Sequence, residues 1–127
     1  MSGIADRFTE LPVHEALPPL RRALEDNTRA VLAAPPGAGK TTLVPLDILE
    51  AEWCDGKIIL IEPRRLAARA AARRMAAMLS EQAGETVGYR MRLDNRISKK
   101  TRSEVVTEGV FTRMALDDQE LSGISCV

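Results

Sequence analysis

The chain has 127 residues, 45% of them apolar and 28% charged, and its formal net charge at pH 7 is zero. This length and composition predict one ordinary globular domain, and no apolar run approaches the ~20 residues that span a bilayer. The N-terminus lacks the apolar core of a signal peptide, and the two cysteines have no metal or redox spacing, so we expect a cytoplasmic protein with reduced thiols and no membrane partner.

The charged residues are distributed unevenly along the chain. Residues 64–102 contain eleven Lys or Arg and three Asp or Glu, so this stretch carries a net charge of +8 and the rest of the chain carries −8. A basic stretch of this kind indicates a polyanionic partner, and a solvated arginine face on an alanine-rich helix is the alternative.

The predicted elements alternate between helices and strands. In chain order they are a helix at 17–27, a strand at 29–33, a helix at 40–52, a strand at 57–62, a helix at 65–79, strands at 87–91 and 102–107, a helix at 110–116 and the start of a strand at 124–127. The strand at 57–62 is apolar on both faces, which is typical of a parallel strand covered on each side. The alternation predicts an α/β fold, a parallel sheet with helices on both faces.

A glycine-rich loop joins the first predicted strand to the following helix. It reads Ala34-Pro35-Pro36-Gly37-Ala38-Gly39-Lys40-Thr41. This matches the P-loop pattern, with Ala34 where the strict pattern has glycine. In such a loop backbone N–H groups surround phosphates, Lys40 reaches the β- and γ-phosphates, and the Thr41 hydroxyl binds Mg²⁺. The alternative, a plain glycine-rich turn, leaves the adjacent Lys40 and Thr41 unexplained.

The helix predicted at 65–79 carries arginines at two different angular positions around its axis. At about 100° per residue its apolar side is made of small or flexible residues, namely Ala67, Ala71, Met75 and Met78. Arg65, Arg69 and Arg73 form a stripe on the opposite side, for which a solvated surface is the simpler interpretation. Arg74 falls at the edge of the apolar side, so we expect it to be partly buried and to need a partner.

Four segments resemble, in order, the motifs of the DEAH-box ATP-dependent RNA helicases, and they look closest to the bacterial HrpB type. The loop at 34–42 resembles motif I, residues 63–68 (Pro-Arg-Arg-Leu-Ala-Ala) resemble motif Ia, and residues 106–113 (Val-Thr-Glu-Gly-Val-Phe-Thr-Arg) resemble motif Ib. Residues 87–92 (Val-Gly-Tyr-Arg-Met-Arg) resemble the tract between Ia and Ib. The resemblance covers residues 11–127. It implies a RecA-like P-loop NTPase fold, with 29–127 as part of the ATP-binding domain and 1–28 as an N-terminal extension.

The resemblance also implies roles for individual residues. Lys40 and Thr41 would act on the triphosphate, with Thr41 as the Mg²⁺ ligand. ATP would be held by Pro36, Gly37, Ala38, Gly39, Lys40, Thr41 and Thr42, with Arg74 stacked on the adenine. The RNA backbone would contact Arg64, Arg65, Thr107 and Arg113. Arginine forks suit phosphates, and backbone contacts position a strand without reading its sequence.

Two parts of the family pattern are missing from this sequence. The next motif, Asp-Glu-x-His, would supply the carboxylates for Mg²⁺ and for the attacking water, and a second RecA-like domain would supply arginine fingers and half of the RNA groove. We therefore expect an apparently truncated domain of a helicase, an NTP hydrolase, that alone neither hydrolyses ATP nor unwinds RNA. A Walker B interpretation of residues 58–62 is the lesser alternative, because Pro63-Arg64-Arg65 follows them as in motif Ia.

The functional hypothesis is an N-terminal part of an ATP-dependent helicase. Its expected cofactors are ATP and Mg²⁺, and its expected partners are RNA, or single-stranded DNA, and the second RecA-like domain of its parent protein. Two alternatives remain open. A small P-loop kinase or phosphotransferase would need an acidic metal site and an acceptor lid, and a non-catalytic basic RNA-binding fragment would bind RNA without responding to ATP.

Overall fold

A computed structural model describes residues 3–127 and divides the chain into two compact units, one ending at Trp53 and one covering Cys54–Val127. The N-terminal unit is helical and carries the glycine-rich loop, while the C-terminal unit contains a five-stranded sheet. The predicted mixed α/β class is confirmed. The predicted domain boundary between residues 28 and 29 stays a prediction.

The N-terminal unit contains four helices among its described residues. They are two short 3₁₀ helices, Ile4–Phe8 and Pro12–Ala16, and two α-helices, α1 (Leu17–Asp26) and α2 (Lys40–Ile48). Two prolines in its first turn suit the start of α1, because a helix leaves those amides without partners in any case. The amides of Glu50 and Ala51 donate to carbonyls three residues earlier, which forms turns instead of a continued α-helix. α2 therefore ends before the predicted residue 52.

The prediction of a strand at 29–33 is wrong. These residues have no regular secondary structure, and Val31 is 99% exposed. A strand exists only where a neighbour satisfies its backbone N–H and C=O groups, and no strand of the described chain pairs with this segment. An apolar run predicts the tendency to form a strand, but it cannot supply the partner.

A part-buried ion pair ties α1 to α2. Arg21 donates from Nε and Nη2 to the two carboxylate oxygens of Asp47, at 2.8 and 2.5 Å, and Asp47 is only 8% exposed. This two-point geometry suits a guanidinium and a carboxylate, and the hydrogen bond to Asp47 raises the pKa of Arg21. The apolar core beside the pair includes Val13, Leu17, Leu43 and Leu46.

The C-terminal unit forms a mixed sheet. Its elements are β1 (Lys57–Ile61), α3 (Arg65–Met78), β2 (Val87–Met91), β3 (Asp94–Arg96), β4 (Ser103–Val106), α4 (Glu108–Asp117) and β5 (Ile124–Cys126). The strand order is β3-β2-β4-β1-β5. β1 is parallel to β4 and β5, and β2 is parallel to β4, so these four strands have the predicted orientation.

β3 is absent from the prediction and is antiparallel to β2. Met91 pairs with Asp94, so a two-residue loop connects the strands, and Leu93 in that loop has φ of 64°. Asp94, Asn95 and Arg96 are poor strand formers, so their sequence contains no strand signal. They pair because the tight turn brings them back along β2.

The buried face of α3 is rotated relative to the prediction. Its buried residues are Ala68, Ala71, Ala72, Met75, Ala76 and Met78. The face therefore turns away from Ala67 towards Ala72 and Ala76. Alanines occur all round this helix, so their periodicity defines the phase only weakly. As a result Arg74 is exposed, and the expected partial burial of Arg74 is wrong.

The arginine stripe of α3 is anchored rather than simply solvated. Arg65 Nη1 donates to the carbonyl of Arg92 at 3.0 Å, and Arg69 Nη2 donates to the Asp94 carboxylate. The Arg69 guanidinium also lies 5.9 Å from the centre of the Tyr89 ring. The helix is thus fastened along the β2–β3 hairpin, and the solvated interpretation is wrong for Arg69, whereas Arg65 is exposed.

Candidate functional site

The backbone of the glycine-rich loop has the conformation that its glycines allow. Gly37 and Gly39 have φ of 81° and 95°, in the left-handed region that side chains disfavour. α2 begins at Lys40, directly after Gly39, and the amide of Leu43 donates to the Gly39 carbonyl at 2.8 Å. The loop therefore leads straight into a helix N-terminus, whose partial positive charge favours anions.

The two residues expected to act on phosphate are accessible. Lys40 is exposed, and its Nζ donates to the Ala34 carbonyl at 2.7 Å across the loop. Thr41 is exposed as well, and its hydroxyl makes no hydrogen bond within the described chain. The Thr42 hydroxyl instead donates to the Gly39 carbonyl at 3.4 Å, inside the loop's own turn. To bind phosphate, Lys40 would give up its hydrogen bond to the Ala34 carbonyl. The Thr41 hydroxyl has no hydrogen bond to give up.

A cavity of about 470 Å³ in the same unit is a poor anion site. Its lining includes the carboxylates of Asp6, Glu25, Asp47, Glu50 and Glu52. Arg21 also lines it, but that guanidinium is already bound to Asp47. Like charges at short range repel, so this cavity does not suit a triphosphate.

The predicted RNA-contacting residues Arg64, Arg65 and Thr107 meet at one edge of the sheet in the C-terminal unit. Arg64 and Arg65 follow β1 and Thr107 follows β4, and these parallel neighbours end together because Ile61 pairs with Val106. The amide of Glu62 donates to the Val106 carbonyl at 2.9 Å, which extends the ladder to the loops. The side chain of Arg64 is 84% exposed, with its Nε 3.9 Å from Glu62 Oε1.

The fourth predicted RNA contact, Arg113, lies further along α4. Its side chain is 79% exposed, and its Nε is 3.7 Å from Asp117 Oδ2, one turn later in the helix. Thr107 caps the N-terminus of α4 with extended backbone, and its carbonyl accepts from the Phe111 amide at 3.0 Å. Arg113 therefore occupies the exposed body of α4, whereas Thr107 belongs to the loop edge.

The structure adds Arg92 to this edge. Arg92 directly follows β2, a parallel neighbour of β4, and its carbonyl accepts from Arg65. The signal was present in the sequence, since a basic residue follows a strand there as Arg64 does after β1. Only the sheet order shows that the two strand ends belong to one edge. Arg74 lies outside this edge, exposed on α3.

Residues 3–127 contain no group of three or more His, Cys, Asp or Glu side chains that could hold a metal ion. Over the same residues, no helix combines the length and apolar character needed to cross a bilayer.

The chain is 54% identical to the ATP-dependent RNA helicase HrpB of Escherichia coli strain K12 over 120 residues, which is 94% of this chain and 15% of that protein. It is 37% identical to the DExH-box ATP-dependent RNA helicase DExH3 of Arabidopsis thaliana, over 92% of this chain and 10% of that protein. No protein-family model matches.

Solved structures agree with these sequence relatives. Two crystal structures of Escherichia coli HrpB, titled a DExH-box NTPase and a DEAH/RHA helicase, match with TM-scores of 0.87 and 0.85 at 54% and 56% identity. They cover 91% and 89% of this chain, which covers 14% of each of them. The chain thus spans about 10–15% of the length of these relatives. Its resemblance to the DEAH-box RNA helicases of the HrpB type is confirmed.

Proposed function

We propose that this chain, whose sequence and fold are similar to those of HrpB-type RNA helicases, forms part of an ATP-dependent RNA helicase. In this proposal the N-terminal unit binds the triphosphate of ATP and the C-terminal unit binds the RNA backbone. The observation that carries it is the glycine-rich loop, in which two left-handed glycines lead into the N-terminus of α2 with Lys40 and Thr41 exposed.

The residues present fit Mg-ATP. Backbone amides of residues 37–42 and the Lys40 ammonium would hold the phosphates, because both the helix N-terminus and the lysine favour negative charge. Mg²⁺ keeps several waters and binds largely through substrate phosphates, so the Thr41 hydroxyl suits it without a carboxylate cluster. When bound, the ion would neutralise charge on the phosphates. The adenine contact of Arg74 rests on the resemblance alone; its side chain is exposed on α3.

RNA binding is proposed for the edge formed by Arg64, Arg65, Thr107 and Arg92, with Arg113 on the adjoining helix. Exposed guanidinium groups donate two parallel hydrogen bonds to a phosphate, and the first-turn amides of α4 add donors beside them. Such contacts bind single-stranded RNA or DNA without regard to sequence. They do not require aromatic side chains, and the chain has only four.

Binding without turnover is proposed for the 127 residues taken alone. Phosphoryl transfer depends on positioned groups that stabilise charge and orient water. The Asp-Glu-x-His motif is absent from this sequence, and residues 3–127 contain no acidic cluster that could replace it. A phosphotransferase would need such a cluster too, so no structural observation favours that alternative.

The ATP proposal is tested by calorimetric titration of the chain with Mg-ATP, alongside Lys40→Ala and Arg22→Ala. Arg22 is an exposed cation of the same unit, so its removal changes net charge without touching the loop. We expect Lys40→Ala to weaken binding at least tenfold, since a charge-assisted bond to phosphate is lost, and Arg22→Ala to bind like the unmodified chain. Equal affinity of the two variants would contradict the proposal.

RNA binding is tested by fluorescence anisotropy with single-stranded RNA at several salt concentrations. We expect the double variant Arg64→Ala/Arg65→Ala to reduce the slope of log K against log salt by about 1.4, because each of two phosphate contacts on a single strand contributes about 0.7. The control is Lys99→Ala/Lys100→Ala, which removes the same charge from an exposed turn. Equal losses in the two variants would favour diffuse basic binding over the proposed edge.

A further inference from the structure

We infer that Val13 and Leu11 are positioning residues of the phosphate loop, and that the Val13 amide holds the loop in its phosphate-binding shape. This inference deepens the proposed function and rests on it, because it concerns the same site. It assigns a task to residues 11–13, which lie outside the glycine-rich motif and more than twenty residues before it.

The first observation is a single backbone hydrogen bond. The Val13 amide donates to the Ala38 carbonyl at 2.9 Å, and both residues are buried, at 2% and 3% exposure. Ala38 stands between the two left-handed glycines, so the bond holds the middle of the loop's turn. A buried hydrogen bond of this kind resists loss, because its acceptor would otherwise be left without a partner away from water.

The direction of that bond determines where the next amide points. A trans peptide is planar, with its C=O and N–H on opposite sides. Since the Ala38 carbonyl is held towards Val13, the amide of Gly39 in the same peptide points away from Val13. The Gly39 amide donates to no acceptor in the described chain. The bond therefore presents an unpaired donor on the side of the loop that faces away from the 3₁₀ helix Pro12–Ala16.

Side-chain packing prevents the loop from rotating back. A β-carbon added to Gly39 would lie 3.0 Å from Leu11 Cδ1 and 3.4 Å from Val13 Cγ1, so both side chains lie close against the glycine. A backbone rotation that brought the Gly39 amide inward would collide with them. The side chains of Leu11 and Val13 thus pack against the loop on the side opposite the Gly39 amide. The Val13 amide holds the Ala38 carbonyl in place.

The entry of the loop has no comparable support. A cavity of about 320 Å³ separates the start of the loop from the same 3₁₀ helix, and its lining on the loop side is Ala33, Ala34, Pro35 and Ala38. Short side chains leave this space unfilled, so packing alone does not restrain the loop there. If the Val13 bond is lost, the loop has room to relax towards the helix and withdraw its amides from the phosphates.

The test compares Val13→Pro with Val13→Ala in the full chain. Both variants lose the valine methyl groups, but only proline removes the N–H. Proline is acceptable in this first turn, as the consecutive prolines in the first turn of α1 illustrate. Dissociation constants are measured for ATP, ADP and AMP, and urea midpoints verify that each variant is folded.

We expect Val13→Pro to weaken ATP binding about fivefold relative to Val13→Ala, ADP binding less, and AMP binding by under twofold, in line with one lost hydrogen bond. The gradient with phosphate number separates positioning from a purely structural role, which would weaken all three nucleotides equally. Should Val13→Pro fail to fold, Leu11→Ala carries the test, with a smaller loss and the same gradient expected.

The outcomes separate the inference from the function on which it rests. If the unmodified chain binds ATP no better than Lys40→Ala, the proposed function fails and the inference with it. If the unmodified chain binds ATP through Lys40 but the folded variants of Val13 and Leu11 bind all three nucleotides like the unmodified chain, only the inference is overturned. Equal weakening for ATP, ADP and AMP also overturns it.

Discussion

Glu104 accepts a hydrogen bond from Lys57 Nζ at 2.6 Å although Glu104 lies on the central strand of the sheet and is only 1% exposed. Its second carboxylate oxygen lies 3.2 Å from Arg90 Nη2. One carboxylate therefore joins β4 to both of its neighbours, β1 and β2. Burial of a charge is costly unless cations compensate it, and these two do.

Glu104→Gln is expected to destabilise the chain by about 2 kcal/mol, because it removes the buried carboxylate that pairs with two partly exposed cations. Urea unfolding followed by circular dichroism measures the loss. Glu120→Gln is the matched control, since Glu120 is exposed, and it should change stability by less than ~0.5 kcal/mol. Similar midpoints for the two variants would show that the three-strand network contributes little.

The ion pair between Arg69 and Asp94 should make the free energy of unfolding depend on pH in the acidic range. The hydrogen bond from Arg69 holds the pKa of Asp94 below its ordinary value of 3.8. A lowered folded-state pKa stabilises the fold above the unfolded pKa, and this contribution disappears as pH falls through the folded pKa.

Asp94→Asn should therefore lower the urea midpoint at pH 7, and its difference from the unmodified chain should shrink steadily below about pH 4. In an Arg69→Met background, the same replacement should show no such pH dependence, because the interacting cation is gone. A difference that stays constant between pH 7 and pH 2.5 would mean that charge is not the cause.

Three glycine-to-alanine variants should rank by backbone conformation and space. Gly37→Ala introduces a side chain at φ of 81° with open space around it, so strain alone applies, at about 1 kcal/mol. Gly39→Ala adds the contact with Leu11 to similar strain and should cost about 2 kcal/mol or more. Gly109→Ala, in helical α4 with free space, should be neutral or stabilising by about 0.5 kcal/mol. Thermal unfolding measures the ranking, and any other order would contradict the loop geometry.

The two cysteines should differ in reactivity. Burial raises the pKa of both thiols, but Cys54 is 4% exposed whereas Cys126 is half-buried. Because the thiolate is the reacting form, iodoacetamide at pH 8 should modify Cys126 slowly and Cys54 only after unfolding. Mass spectrometry of digested samples, with and without urea, distinguishes the sites. Modification of Cys54 as fast as Cys126 in the folded chain would contradict its burial.

Local chemistry explains why much of the fold was predictable. The first turn of α1, the left-handed glycines and the start of α2 at Lys40 each depend on residues a few positions apart, so their pattern is sufficient. β1 carries an apolar run that only burial explains, and the bounds of β1, β2 and β4 agree with the prediction within a residue or two.

Prediction failed where pairing or phase decides the structure. Residues 29–33 have the composition of a strand but no hydrogen-bonded neighbour in the described chain, whereas residues 94–96 lack that composition and pair because a tight turn returns them to β2. In α3, alanines surround the helix so evenly that the sequence placed Arg74 at the buried margin, where the structure places Arg69 instead.

The sequence by itself determined the glycine-rich loop, since positive φ favours glycine and the loop joins two local elements of the chain. Tertiary structure alone decided which residues pack against that loop and which residues form the proposed RNA-binding edge. Val13 and Ala38 are far apart in the chain, as are Arg65 and Arg92, and they meet only through packing. A linear pattern records which residues are able to interact, but folding selects which of them do, because a contact forms only where the surrounding chain brings both groups together.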